Sequence, residues 1–191
     1  MTVSEIVYSL QGEGARAGEP SIFIRLAGCD LVCSFCDTEF ESGEELTVQQ
    51  ILSHIEKFPC HWIVWTGGEP SLQLTEEIVS FFKAAGYSQA IETNGGHRVP
   101  SNLDWVTVSP KVAEHILQKN FNGNITELKY VRHAGHLSVP KPKVEAKYYF
   151  LSPMFDGLRV NEVNLKHCID LCLKHPQWRL TIQQHKFWKV P

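Results

Sequence analysis

Cys29, Cys33 and Cys36 stand within eight residues, in the run GCDLVCSFCDT. Iron–sulfur clusters usually take four cysteine thiolates. Three at this spacing suit a cluster with one iron left open for chemistry, as a catalytic metal site keeps one position for water or substrate. The competing reading is zinc, because C-x-x-C pairs are common half-sites of zinc fingers and ribbons. Zinc asks for a fourth ligand nearby, and the nearest candidates make no paired knuckle: His54 falls in an expected helix, and Cys60 and His61 just before an apolar strand. Cys168 and Cys172 share the apolar face of another expected helix, where a free cysteine acts as a small hydrophobe.

The elements that must position these thiols are strands alternating with helices. Apolar, β-rich runs at residues 21–26, 62–65, 105–108, 127–131, 147–151 and 179–182 read as buried strands. Val48, Ile51, Leu52 and Ile55 follow helical spacing behind Thr47 and Gln50, a T-x-x-Q capping box. A second helix carries Leu74, Ile78, Phe81 and Phe82 on one face, with Gly86 as its cap. A third, from about Asn161 to Lys174, places Leu165, Cys168, Ile169, Cys172 and Leu173 together before Pro176 ends it. This alternation predicts an α/β fold with a mostly parallel sheet and short right-handed crossovers.

Polar motifs begin where strands end. AGCDLVC follows SIFIRL, TGGEP follows WIVW, ETNGG follows QAI, SPK follows WVTV, SPM follows YYFL and QQH follows RLTI. Parallel α/β folds put their sites at that end of the sheet. Small and polar residues also make ordinary turns after strands, but six such motifs together exceed what turn chemistry alone requires.

Composition bounds the alternatives. At 191 residues, with no repeat and no Ser/Pro linker, the chain is expected to form one domain over 1–191. Its net charge of -3 lacks the basic excess of a nucleic-acid footprint. No stretch approaches the roughly 18 apolar residues of a membrane span, and the start lacks a signal-peptide layout. A cytoplasmic protein is expected. In that reducing setting the six cysteines read as metal ligands or buried thiols before disulfides.

The C-x-x-x-C-x-x-C run followed by GGEP resembles the radical S-adenosylmethionine superfamily. That resemblance implies a [4Fe-4S] cluster on Cys29, Cys33 and Cys36, with S-adenosylmethionine chelating the open iron. Cleavage of the sulfonium would yield a 5′-deoxyadenosyl radical that abstracts hydrogen from substrate. Gly67 and Gly68 would let the backbone approach the methionine end, and Glu69 would have a cofactor-side or structural role.

A narrower resemblance spans almost the whole chain: YSLQGEG, RLAGC, FCDT, TGGEP, ETNG, VSPK, HPQWRL and the final QQHKFWKVP are similar to the 7-carboxy-7-deazaguanine synthase family. It implies an abridged, partial β/α barrel of the radical S-adenosylmethionine type. The reaction it implies is ring contraction of 6-carboxy-5,6,7,8-tetrahydropterin to 7-carboxy-7-deazaguanine with release of ammonia, in queuosine and deazapurine biosynthesis. A substrate loop of Leu10, Gln11, Gly12 and Glu13 is implied, with Arg25 on the carboxylate and Thr66 as a polar contact. An arginine–carboxylate pair can be bidentate; the alternative for Arg25 is a strand arginine satisfied by local acids. Family members bring the carboxylate of a terminal proline into the site, helped by a histidine, here Pro191 and His185, so a C-terminal tag is expected to impair turnover.

Thr38 is the position associated with Mg²⁺, which keeps several waters and can take further oxygens from substrate. The cofactor positions carried over are Phe35, Cys36, Asp37, Gly68, Glu92, Asn94, Ser109, Pro110, Lys111, Ser152, Pro153, Met154 and Phe155. The chain departs from the family's usual Q-P-M-D-G at Ser152-Pro153-Met154-Phe155-Asp156-Gly157, with Ser for Gln and an extra Phe. A flavodoxin- or ferredoxin-type electron donor and a homodimer are implied by resemblance. Two other readings stand beside this lyase: a glycyl-radical activating enzyme, which leaves LQGEG and the C-terminal run unexplained, and a zinc-binding module, which explains neither GGEP nor the strand-end motifs.

Overall fold

The computed structural model describes residues 1–33, 36 and 41–191. Strands β1 (Thr2–Leu10), β2 (Pro20–Leu26) and β3 (Glu44–Glu45) come first, then α1 (Val48–Ile55), β4 (Trp62–Gly67), α2 (Glu76–Ala84), β5 (Ser88–Thr93) and β6 (Trp105–Val108). The chain continues through α3 (Glu114–Asn120), β7 (Ile125–Arg132), β8 (Ala146–Pro153), β9 (Phe155–Asp156), β10 (Arg159–Val160), α4 (Glu162–Lys174), β11 (Trp178–Leu180) and α5 (Gln184–Trp188). One sheet runs in the order β11-β8-β7-β6-β5-β4-β2-β1-β3. From β2 to β11 every neighbour is parallel, whereas β1 pairs antiparallel with β2 and with β3.

The expected strands appear with ends displaced by up to two residues; β4, β7 and β8 run longer than expected, whereas β11 begins at Trp178 and stops before Thr181 and Ile182. β1 escapes sequence reading because most of its side chains are half-buried, so no clean alternation marks it. The capping box on α1 forms as expected, Thr47 Oγ1 accepting from Gln50 N–H while Gln50 Oε1 accepts from Thr47 N–H. Asn161 caps α4, and Gly86 follows α2 with φ +88°.

The expected face of α4 needs correction. Cys168 and Leu171 are buried, but Ile169 and Leu173 are exposed. This helix lies over β8 and β11, the last strands at one edge of the sheet, so only a narrow stripe of it meets the core. The Cys168 thiol is pushed up to about 12 by burial, which suits an inert packing residue.

Strand parity divides the sheet into two chemically different faces. Ile22, Ile24 and Leu26 of β2, Ile63 and Trp65 of β4 and Ile91 of β5 pack into the main core with Ile51, Ile55 and Phe82 of the helices. Among the intervening residues, those nearest the C-terminal ends of the strands form a polar row on the opposite face. Arg25 is registered with Thr66, and Trp65 with Ile91, which sets Thr66 beside Glu92. Glu92 is registered with Thr107, and Thr107 with Glu127.

Candidate active site

The cysteine loop is seated by the GGEP turn. Gly68 N–H donates to Leu26 O and Glu69 N–H to Gly28 O, both at 2.9 Å. A Cβ at Gly68 would fall 1.9 Å from Gly28 O, and one at Gly67, where φ is +120°, would fall 2.1 Å from Leu26 O. These glycines therefore serve first to admit the backbone of the cysteine loop itself. Within that loop Leu31 N–H donates to Cys29 Sγ at 3.5 Å and Cys36 N–H to Cys33 O at 3.1 Å. Burial raises the Cys29 thiol above its ordinary pKa, the Leu31 contact opposing it. Asp30 is held by His97 at 2.7 Å, and that hydrogen bond lowers its carboxyl. Phe35, Asp37 and Thr38 lie outside the described residues.

Glu69 is fully buried. Its Oε1 accepts from Thr93 Oγ1 at 2.7 Å and Ser71 N–H at 3.0 Å, and its Oε2 from Asn94 N–H at 2.7 Å. With its oxygens so occupied, the acid is a structural clamp between the ends of β4 and β5.

Beside the loop lies a cavity of about 580 Å³, lined by Cys33, Cys36, Gly68, Glu92, Asn94, Ser109, Lys111, Ser152, Pro153, Met154 and Phe155. Pro110 is not among its lining residues. Burial lowers the Lys111 pKa, the Lys129 charge adds to that, and Cys33 partly opposes it. The extra Phe at the sequence departure opens a hairpin in which Phe155 pairs with Val160 and Asp156 with Arg159. The Phe155 ring stands 6.2 Å from Phe187 of α5, and Lys186 Nζ donates to Gly157 O at 3.0 Å.

A second cavity of about 900 Å³ adjoins the first, and Leu10, Gln11, Gly12, Glu13, Arg25, Thr66, His185 and Pro191 all line it. These residues come from both ends of the chain. Gln184 N–H donates to Gly12 O at 3.0 Å, Ser9 Oγ to Pro191 O at 2.8 Å, and a Cβ at Gly12 would fall 2.1 Å from His185 Nδ1. Arg25 Nε donates to Glu5 Oε2 at 3.1 Å while its side chain stays 29% exposed. Glu13, Thr66, Glu92 and Lys129 line both cavities.

Lys129, at this junction, and Glu127, two residues before it on β7, belong to no motif, yet both are buried. Lys129 Nζ bridges Glu13 Oε2 at 2.9 Å and Glu92 Oε2 at 3.3 Å. Burial by itself would lower the Lys129 pKa; Glu13 and Glu92 outweigh it and raise the group. Burial raises Glu92, with Lys129 opposing. Glu127 accepts from Ala15 N–H at 3.0 Å and Trp105 Nε1–H at 3.1 Å. It is pushed up to about 7, chiefly by burial and next by the charge of Glu92. The available signal was the E-L-K alternation in ITELKYVR, which puts two opposite charges on one face of a strand.

Residues 23–136, spanning the cysteines, GGEP, ETNG and SPK, match the model of the Radical SAM superfamily. A 7-carboxy-7-deazaguanine synthase from Bacteroides thetaiotaomicron is 38% identical over 184 residues, covering 96% of this chain and 95% of that protein. One from Burkholderia multivorans is 39% identical over 212 residues, covering 99% and 98%. The chain belongs to the 7-carboxy-7-deazaguanine synthase family. A crystal structure of QueE from Escherichia coli superposes with a TM-score of 0.75 at 26% identity, covering 96% of this chain and 94% of that one. The partial barrel expected from sequence is thus the fold of a 7-carboxy-7-deazaguanine synthase, and the activase and zinc-module readings give way to it.

Members of this family use a [4Fe-4S] cluster and S-adenosylmethionine. The residues here fit that pair: three thiols stand on one loop, and the cavity lined by two of them is bounded by a lysine, an asparagine and the SPM strand end. Among the described residues no helix is long and apolar enough to cross a membrane.

Proposed function

We propose that this chain converts 6-carboxy-5,6,7,8-tetrahydropterin to 7-carboxy-7-deazaguanine with loss of ammonia, the pterin occupying the larger cavity and S-adenosylmethionine the smaller. The observation that carries this reading is a shared wall that includes Glu13, Thr66, Glu92 and Lys129 on one side and Gly157, Gln183 and Lys186 from the C-terminal part of the chain. It makes two separately lined spaces open onto each other, as hydrogen transfer between two bound molecules requires. When bound, the cluster and S-adenosylmethionine supply one-electron reduction and, from it, hydrogen-atom abstraction. The protein's own contribution is placement. Cys29, Cys33 and Cys36 hold the cluster, Thr38 is the Mg²⁺ position, and Asn94, Ser109, Lys111, Ser152 and Met154 face the cofactor.

Arg25 receives the pterin carboxylate, for which its contact with Glu5 leaves donors over, since a guanidinium carries five N–H groups. Gln11, Glu13, His185 and Pro191 address the hydrogen-bonding edges of the ring. The Phe155–Val160 hairpin and α5 shut water away, held together by the Phe155–Phe187 and Lys186–Gly157 contacts. The 191 residues act as one catalytic domain, paired as a homodimer and reduced by a flavodoxin- or ferredoxin-type donor.

The test is anaerobic reconstitution with iron and sulfide, followed by S-adenosylmethionine, reductant and carboxytetrahydropterin. Deazaguanine product is expected. Formation of 5′-deoxyadenosine without that product would overturn the substrate assignment, and colourless protein holding stoichiometric zinc would overturn the whole reading.

A further inference from the structure

The inner face of the sheet contains a buried ammonium whose two carboxylate partners come from different elements and line both cavities. Lys129 on β7 is 8% exposed and contacts Glu13, in the loop after β1 that faces the pterin cavity, and Glu92, at the end of β5. Glu92 also accepts from Gln11 Nε2 at 3.3 Å, so the same cation reaches the pterin-side loop by two routes. Lys129 and Glu13 are 116 residues apart in sequence, and no local turn brings them together. Glu127 on β7 and Lys111 after β6 also act on this centre, and Arg25, His185 and Lys186 line the same space.

Two partly buried carboxylates that converge on one cation repel each other, and without the counter-charge one of them takes up a proton. A protonated Glu13 would turn a hydrogen-bond acceptor into a donor. The N–H edge of an aminopyrimidinone ring offers donors, so a donor at that point would face donors and lose the contact.

We infer that Lys129 is a positioning residue that holds Glu13 ionised and aims both Glu13 and Glu92 from one buried ammonium, so that pterin recognition and the joining of the two cavities depend on a cation that need not touch either bound molecule. This inference rests on the pterin reading above.

The experiment is equilibrium binding of 6-carboxypterin, a stable fluorescent analogue, to reconstituted protein between about pH 6 and 9. It compares wild type, K129M, K129R and the double variant E13Q/K129M. Wild type, in which Glu127 titrates near 7, gives the reference pH profile against which the variants are read. K129M is expected to bind about tenfold more weakly at neutral pH and to recover as pH rises, because the proton shared by Glu13 and Glu92 is then lost. K129R keeps the charge but not the shape, and is expected to keep the wild-type pH profile at an affinity between those of wild type and K129M. E13Q/K129M lacks the Glu13–Glu92 pair and is expected to bind weakly without the added pH dependence of K129M. It also serves if K129M does not fold, and wild-type affinity in the double variant would overturn the inference.

K129M with wild-type affinity and the wild-type pH profile would overturn the Lys129 assignment alone. Absence of carboxypterin binding to wild type would overturn the pterin reading, and this inference with it.

Discussion

The Glu69 carboxylate accepts a hydrogen bond from Thr93 Oγ1 at 2.7 Å, across 24 residues of sequence, and joins the GGEP turn to the ETNG strand end. The same carboxylate holds Asn94 N–H, while Glu69 N–H holds Gly28 of the cysteine loop. One buried acid therefore links the strand ends that carry the cluster loop and part of the cofactor cavity.

E69Q tests this link. A glutamine replaces one acceptor oxygen with an NH₂, which must then face a donor from Thr93, Ser71 or Asn94. The expected cost is about 1–3 kcal/mol, the range for leaving a buried hydrogen-bonding group unsatisfied. Thermal unfolding should show a lowered midpoint, and S-adenosylmethionine should bind more weakly because Asn94 loses its anchor. An unchanged midpoint and affinity would count against the clamp.

G68A addresses the seating of the cysteine loop. A methyl group 1.9 Å from Gly28 O cannot be accommodated by a side-chain rotation, because the obstruction is backbone. The loop must move, at an overpacking cost of about 1–3 kcal/mol or more. Iron bound per chain after reconstitution should fall well below that of wild type. Full iron content would show that the turn and the loop can separate.

Glu127 makes a prediction about pH. Its folded-state pKa, about 7, lies above its ordinary 4.5, so the neutral acid is the favoured form. The folded state binds the extra proton, and stability from this group is fully present below about pH 4.5 and lost as pH rises through about 7. A shift of this size corresponds to about 3 kcal/mol. E127Q retains an oxygen for Ala15 and Trp105 but cannot ionise. It is expected to be more stable than wild type above neutrality, with a flatter stability profile between those limits in urea unfolding. A profile parallel to that of wild type would refute the assignment.

Arg25 separates the two cavities functionally. R25K keeps the charge but loses the planar fork that grips a carboxylate at two points. Carboxypterin affinity should drop by about ten- to a hundredfold, the equivalent of about 1.5–3 kcal/mol for a charge-assisted contact. S-adenosylmethionine affinity should be unchanged, since Arg25 lines only the larger cavity. Equal weakening of both ligands would instead indicate a general disturbance of β2.

Much of the site was legible because its residues sit in compact motifs at strand ends. The glycines of GGEP, the cysteine spacing and the C-terminal QQH were each visible within a few residues. What was not legible had a common cause. β1 lacked alternation because it borders the larger cavity with its side chains half-buried. The exposed flank of α4 read as core because helical spacing shows which residues share a face but not how much of that face the edge of a sheet will cover.

By itself the sequence determined the chemistry and the building blocks: three thiols for a cluster, capped helices, apolar strands and polar groups at their ends. These depend on neighbours within a few residues, where propensity and periodicity act directly. Only the tertiary structure decided which groups meet. Glu13 reaches Lys129 across 116 residues and Ser9 reaches Pro191 across 182. The row from Arg25 through Thr66, Glu92 and Thr107 to Glu127 exists only once five strands are set in order and register. Strand parity assigns each of these residues to one of two faces, but the order of the strands is chosen by burial of the opposite, apolar face against the helices, and that choice carries the polar residues with it.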